Sequence, residues 1–327
     1  MKPLQNVPFC STSAAEIDLS PDSCPTTDTM QNLPTATNTC AIVILYFPNA
    51  GIDLRLAAIQ QQVDRLIIVN NGATPKIHRA LMDWVGNENG VILVEPLRNM
   101  GVASALNLGM DVALEKGYAW TLLFDQDTDV DDSMFVNLRR IAERIKPLPA
   151  MIGSNYRDTN KERIFVECNS QNDLYMERKT LITSGTLLST AAYRELGAFC
   201  DHYFIDSIDH EYCLRARRAG HRNYISCQPL MTHSIGIVLQ GSGLFRRLFQ
   251  SYNHPAARKY YIARNTSATV RSYWKTEPAW ACLQITRMAI ETISILLFEN
   301  NRREKLIAMW KGFLDGITHR FQPGPLE

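Results

Sequence analysis

The chain carries none of the glycine-rich signatures by which nucleotide-handling enzymes are most readily recognised. No G-x-G-x-x-G follows the first apolar run, which leads into Phe47-Pro-Asn-Ala-Gly51; this argues against a dinucleotide-binding oxidoreductase. There is no Walker A lysine loop and no G-x-S-x-G elbow, so P-loop and α/β-hydrolase chemistry are disfavoured too. A nucleotidyltransferase would share the acidic site described below, but the Gly-rich, Lys/Arg-bearing loop expected after its first strand is missing. The net charge of +1 gives no reason to expect nucleic acid as a partner. Eight cysteines form no C-x-x-C pair, against a zinc ribbon or dithiol redox motif. A reducing cytoplasm is then the simplest setting. The N-terminus lacks a basic start followed by an apolar block, so it does not read as a secretory signal. No internal repeat is visible.

What is present is an ordinary globular composition over 327 residues, 46% hydrophobic and 20% charged. Nineteen of the first 40 residues are Ser, Thr, Pro or Asn without apolar periodicity, so residues 1–39 read as a disordered extension. From Cys40 the pattern becomes regular. Strands are expected at Ala41–Phe47, Leu66–Asn70, Val91–Glu95 and Trp120–Phe124. Helices are expected at Leu54–Val63, from Pro75 to Val85, and after Asn99-Met-Gly101, where Gly117 stops the run. Such alternation implies right-handed crossovers and a parallel sheet. Tyr46, Asn70, Glu95 and Asp125 then fall at one edge of it, where ligands bind in open α/β sheets. The later chain is more mixed. Strands are read at Ile164–Glu167, Thr180–Ser189, Arg222–Ser226 and Pro229–His233. Helices are read at Met134–Ile145, Ser207–Ala219, His254–Tyr273, Pro278–Phe298 and Asn301–Thr318.

Asp125-Gln-Asp127 leaves the fourth strand, and two such carboxylates suit Mg²⁺ or Mn²⁺ shared with a diphosphate. With Asp129, Asp131, Asp132 and Ser133 they could equally cap the helix that follows. Asp206, Asp209 and His210 open another helix, where the macrodipole favours carboxylates. They read as a general base or as first-turn decoration, with a Glu211–Arg215 surface pair behind them. His233 ends an apolar strand; it is a structural histidine, or a third metal ligand if the sheet brings it near Asp127. Tyr261, Arg264 and Asn265 share a helical face, either solvated or touching a sugar-bearing acceptor. From Ser234 onward the chain carries +7 and the rest −6, so an anionic surface or ligand is expected near the C-terminal region. Trp280–Glu299 is apolar but interrupted by Arg287 and Glu291, so it is not a clean membrane span. Its apolar face could lie on an anionic membrane, or pack against the catalytic domain or a second subunit in a homodimer.

In order, the chain has Tyr46-Phe-Pro-Asn, Ile68-Val-Asn-Asn-Gly72, Asn99-x-Gly-x-Ala-x-Ala-x-Asn-x-Gly109, Leu123-Phe-Asp-Gln-Asp-Thr128 and Ser184-Gly-Thr186. Phe204-Ile-Asp-x-x-Asp-x-Glu-x-x-x-Arg215 and His233 follow. This set resembles the family 2 glycosyltransferases of GT-A fold, and the Asp-Gln-Asp-Thr and Tyr-Tyr-Ile-x-Arg-Asn forms resemble their rhamnosyltransferase branch. The resemblance implies an α/β GT-A fold with a mostly parallel central sheet flanked by helices and a helical C-terminal extension. The catalytic domain would span 40–243, with a nucleotide-sugar half at 40–130 and an acceptor half at 131–243; 244–327 would be the helical region. It also implies Tyr46, Pro48, Asn70, Arg98, Asn99 and Asp125 as donor-binding, and Asp127 with His233 as metal-binding. Asp209 would be the catalytic base. Apart from the resemblance, Asp206, His210, Tyr261, Arg264 and Asn265 are candidates for the acceptor side from their own positions. The implied donor is dTDP-L-rhamnose. The implied acceptor is a glycan or lipid-linked glycan of a bacterial surface polysaccharide, met in the cytoplasm or peripherally on the inner membrane. Many relatives have Asp-Asn where this chain has Asn70-Asn71, so base preference is not legible here. A binding protein that kept the fold and lost turnover is the non-enzymatic alternative, against which the retained aspartates argue.

Overall fold

The structure is a computed structural model. It describes residues 33–327 apart from 50, 73, 88–89, 159–162, 169, 171, 234–238, 241–249, 252, 322–323, 325 and 327. Most of the extension read at 1–39, and the exit of His233 into residues 234–238, therefore lie outside the described residues. The first strand, β1 (Thr39–Leu45), is buried at all seven positions. Burying one of its Ile, Val or Leu side chains stabilises the fold by roughly 1.5–3 kcal/mol. The chain continues through α1 (Ile52–Gln60), β2 (Arg65–Asn70), α2 (Pro75–Asn87), β3 (Val91–Val94), α3 (Gly101–Glu115) and β4 (Trp120–Asp125). These strands pair in parallel in the order β3-β2-β1-β4. Leu45 lies opposite Asn70 and Ile44 opposite Asp125. The expected alignment of strand ends at one edge of the sheet is thus present.

The second half holds β5 (Thr128–Val130), α4 (Met134–Arg144), β6 (Met151–Asp158), β7 (Arg163–Ile164), β8 (Tyr175–Arg178), β9 (Thr186–Ser189), α5 (Thr190–Leu196), α6 (Ile208–Arg218) and β10 (Asn223–His233). The sheet continues as β4-β9-β6-β10-β5, and its longest pairings are parallel.

Several expectations need correction here. Sequence pattern missed β6 because its inward residues are polar. Ser154 Oγ donates to the Gly185 carbonyl (2.7 Å) and Asn155 Nδ2 to the Val166 carbonyl (2.7 Å), which satisfies them inside the core. The run Thr180–Ser189 is not one strand; only Thr186–Ser189 is, and the preceding residues turn toward the site. Ile164–Glu167 shrinks to the two residues of β7. Arg222–Ser226 and Pro229–His233 are one strand, with the register against β6 shifting on both sides of Pro229, which has no amide hydrogen to give the ladder. β1 ends before Phe47, whose φ is 45°. Cys168 and Cys227 form a disulfide across 59 residues of chain, a pairing that sequence spacing does not reveal and that runs against the reducing setting read from the cysteines.

Three helices complete the chain: α7 (Ala256–Tyr273), α8 (Pro278–Phe298) and α9 (Arg302–Ile317). α7 is a core helix. Its close crossing with α9 depends on Gly312 and Gly316, where a Cβ would overlap the Tyr260 and Arg264 carbonyls. Part of the charge of this region is paired internally, acid against base within the region, which leaves its basic excess in place. Lys259 pairs with Glu291 and Glu299, and Lys305 with Glu299 (2.7 Å); Lys259 and Glu299 are both buried. The Glu211–Arg215 pair forms too, but inside the fold, where Arg215 also donates to the carbonyls of Leu196 and Ala198.

Candidate active site

The edge where β1, β2 and β4 end opens into a cleft of about 860 Å³. Asp125, Asp127, Asp209 and His233 all line it. Ligand atoms of Asp125, Asp127 and His233 lie within 4.8 Å of one another. Topology explains this meeting across 106 residues of chain: β10 runs antiparallel to β5, pairing His233 with Thr128, the residue after Asp127. His233 Nδ1 is 3.6 Å from Asp127 Oδ1 and 3.2 Å from Thr128 Oγ1. Two hard carboxylates and one imidazole form a donor set that fits Mg²⁺ or Mn²⁺. Asp127 is exposed and Asp125 less so. Burial, with Asp127 and Asp209 adding repulsion, pushes the Asp125 carboxyl up to about 6; His233 and Arg258 pull the other way. None of the acids invoked as helix caps makes a side-chain cap at α4. Asp129 instead pairs with Arg55 (2.7 Å), and the Asp131 carboxylate lies 3.9 Å from Arg157.

The surroundings hold this cluster in place. The Ser184 hydroxyl accepts from the Asp125 amide (3.1 Å) and pairs with Thr128 Oγ1 (2.6 Å). Gln126, between the two aspartates, donates to the Tyr46 carbonyl (2.9 Å) and accepts from the Tyr46 amide (2.7 Å). Tyr46 itself is about half exposed over the cleft, its ring edge-on to Phe47.

Next in the wall comes the loop before α3. Asn71 Nδ2 donates to Asn99 Oδ1 (2.9 Å), and Asn71 Oδ1 accepts from the Met100 amide (2.8 Å). Gly101 has φ 79°, and a Cβ there would strike the Phe204 backbone. That contact lets the Val102 amide donate to the Phe204 carbonyl (2.7 Å), which joins the nucleotide side to the turn bearing Asp206 and Asp209.

The turn discriminates between its two acids. Asp206 and Ser207 both have left-handed backbones, with φ of 68° and 62°. The Asp206 carboxylate takes two hydrogen bonds from the Arg258 guanidinium (3.0 and 3.1 Å), a bidentate charge-assisted pair. Asp209 accepts from the His210 amide (2.7 Å), lies 4.0 Å from His210 Nδ1 and, among the described residues, makes no ion pair to Arg or Lys. Asp209 is therefore the carboxylate with capacity left to take a proton.

Several residues singled out from sequence sit elsewhere. Asn70 does not line the cleft. Its Nδ2 donates to Glu95 (3.0 Å), and Glu95 in turn meets His78 (3.0 Å). Asn71 takes the place in the wall. Pro48 is buried and Arg98 exposed, and neither lines the cleft. Tyr261, Arg264 and Asn265 do share a face, but it is turned into the core, where each is at most 1% exposed. Asn265 Nδ2 holds the carbonyls of Ile205 (2.8 Å) and Asp206 (3.0 Å), so it shapes the acidic turn and does not face a ligand. The face of α7 that meets the cleft carries Arg258, Ile262 and Thr266, one helical step away. Asp206, His210 and Asn99 line the cleft. Sequence reasoning passed over Gln126, Arg258 and Arg287. The position of Gln126 inside the Asp-x-Asp triplet was its only signal.

Such an arrangement defines a class. The chain has the GT-A fold, seen in its likeness to two solved structures. Residues 1–349 of Staphylococcus aureus TarS, in complex with UDP-GlcNAc, superpose with a TM-score of 0.57 at 12% identity, over 86% of this chain and 82% of that one. GalNAc-T7, with UDP, GalNAc and Mn²⁺, superposes with a TM-score of 0.54 at 12% identity, over 75% of this chain and 50% of that one. Among curated proteins, the dTDP-rhamnosyl transferase RfbF of Shigella flexneri is 24% identical over 296 residues, 86% of this chain and 95% of that protein. No family model matches the sequence.

Proposed function

We propose that the chain is a metal-dependent glycosyltransferase that moves L-rhamnose from dTDP-L-rhamnose to an acceptor hydroxyl with inversion at the anomeric carbon. The observation that carries this reading is one cleft lined both by the Asp125–Asp127–His233 cluster and by Asp209. The sugar assignment is supported by the 24% identity to a dTDP-rhamnosyl transferase over nearly its whole length. It is supported also by the Asp-Gln-Asp-Thr form of the acidic motif.

In this mechanism the Tyr46 ring gives the nucleobase an apolar platform, and the Asn71–Asn99 brace keeps the adjacent wall fixed. Asp127, His233 and Asp125 would hold Mg²⁺ or Mn²⁺. A cation bound there supplies neutralising charge for a departing diphosphate. Asp209 takes the proton of the acceptor hydroxyl as that oxygen attacks C1, and the C1–O bond to dTDP breaks on the opposite face. Arg258 keeps Asp206 from competing for the proton and fixes the turn, so that donor and acceptor meet in one geometry. The acceptor is a lipid-linked or growing surface polysaccharide, met on the cytoplasmic face of the inner membrane. The basic residues outside the internal pairs, Arg302, Arg303 and Lys311 among them, suit such a surface.

A screen of nucleotide sugars for donor hydrolysis with Mn²⁺ tests the reading without an acceptor. The expected outcome is release of dTDP from dTDP-rhamnose above all other donors. Preference for a UDP-sugar reassigns the donor. Absence of any hydrolysis, together with no dTDP binding in calorimetry, removes the proposal.

A further inference from the structure

A second hollow, of about 760 Å³, lies between α7, α8 and α9. Its lining is almost wholly apolar and includes Trp274, Ile285, Trp310 and Phe313. Three of these are more than half exposed: Trp310 at 60%, Ile285 at 55% and Trp274 at 54%. A volume of this size is that of a ligand site.

Two side chains say what the hollow is for. Met288 and Met309 line both this hollow and the catalytic cleft. α8 is the partition between them. Its Gln284, Arg287 and Glu291 face the cleft, while Ile285, Ala289 and Thr292 face the hollow. Among the described residues Arg287 makes no ion pair, although the neighbouring Glu291 is taken by Lys259. An apolar slot thus meets the catalytic cleft beside an uncommitted cation, over a sill of two flexible, polarisable methionines. The molecule complementary to this sequence of surfaces has a hydrocarbon tail, then a phosphate, then a sugar hydroxyl.

We propose that the hollow binds the long hydrocarbon tail of a lipid-linked acceptor. The tail crosses Met288 and Met309, its phosphate linkage meets Arg287, and its hydroxyl reaches Asp209. This rests on the glycosyl-transfer reading for the identity of the head group, and on the shared walls for the tail.

The test uses the full chain and hexadecyl phosphate brominated near the chain end, kept below its micelle concentration, with hexyl phosphate as comparison. Trp274 and Trp310 line the slot, so a bound brominated tail quenches tryptophan fluorescence. The expected result is half-saturation at least tenfold lower for the long chain than for the short one. Ala289→Trp, which fills the slot, and Ile285→Ser, a solvent-facing change that spares the fold, should both shrink that ratio toward one. Arg287→Gln should weaken both phosphates alike and leave the ratio unchanged. Equal affinity for the two chains, or quenching that survives in Ala289→Trp, overturns the proposal. So does a wild-type dimer that Ala289→Trp dissociates without any chain-length preference, since the face would then belong to a second copy. Binding to phosphatidylcholine vesicles without binding of the monomeric phosphate also overturns it, in favour of a bilayer. Tail binding in a protein that hydrolyses no nucleotide sugar keeps the slot and removes the transfer reading.

Discussion

Two clusters of charge in this molecule follow opposite rules. Between α7, α8 and α9, Lys259 and Lys305 are matched by Glu291 and Glu299, and the acids and bases cancel. In the cleft, among the described residues, Asp127 faces His233 (3.6 Å) and Asp209 faces His210 (4.0 Å), while Arg258 is already engaged by Asp206. The first cluster is complete in itself and serves the fold. The second holds negative charge that the described residues leave in excess, and burial, with that charge adding to it, raises the Asp125 carboxyl to about 6. Surplus charge retained in a cleft marks a place where a ligand is expected to finish the pairing.

That contrast can be broken from either side. The largest effect is expected for Asp127→Ala: loss of metal-dependent turnover by a thousandfold or more, on the order of 4 kcal/mol, with Mn²⁺ binding gone in calorimetry. Asp209→Asn should reduce turnover by about 10²–10⁴-fold while dTDP and Mn²⁺ still bind. Wild-type-like rates in that variant would move the base elsewhere. On the matched side, Lys259→Met leaves buried carboxylates short of a partner and should lower unfolding free energy by roughly 3–5 kcal/mol, read from denaturant titration. Unchanged stability there would mean Lys305 alone suffices. The smallest effect concerns His254, which lines the cleft and whose imidazole burial pushes down to about 4, with Arg258 adding to the shift. The folded state holds this ring neutral, so the unfolded chain takes up its proton first as pH falls below 6.5. Stability should therefore be lost between pH 6.5 and 4, on the order of 2 kcal/mol after discounting for partial solvation, and His254→Gln should flatten that slope.

How much of this was readable in the chain divides along the same line. The parallel half was legible because each of its strands is a short apolar run between helix signals. Asp125 and Asp127 could be located at a strand end for that reason. β6 was not legible, because a buried strand whose Ser154 and Asn155 find partners from distant segments carries no hydrophobic period. The assignment of Tyr261, Arg264 and Asn265 to the acceptor failed for a related reason. Helical spacing identifies a shared face but not its direction, and here charge and amide turn inward because carbonyls of the 202–206 segment wait for them. The resemblance favours Asp209 over Asp206, but the guanidinium that occupies Asp206 comes from Arg258, some fifty residues away in sequence, and no local pattern announces it. Asn70 and Asn71 are adjacent at a strand end, where alternation sends one side chain toward Glu95 and the other into the cleft wall.

The double grip of Gln126 on Tyr46 has its own corollary. One amide side chain fastens the Tyr46 backbone to the middle of the acidic triplet, so the root of the proposed base platform keeps a set distance from the acids. A nucleotide longer or shorter than a diphosphate could then satisfy one end of that span only by forfeiting the other.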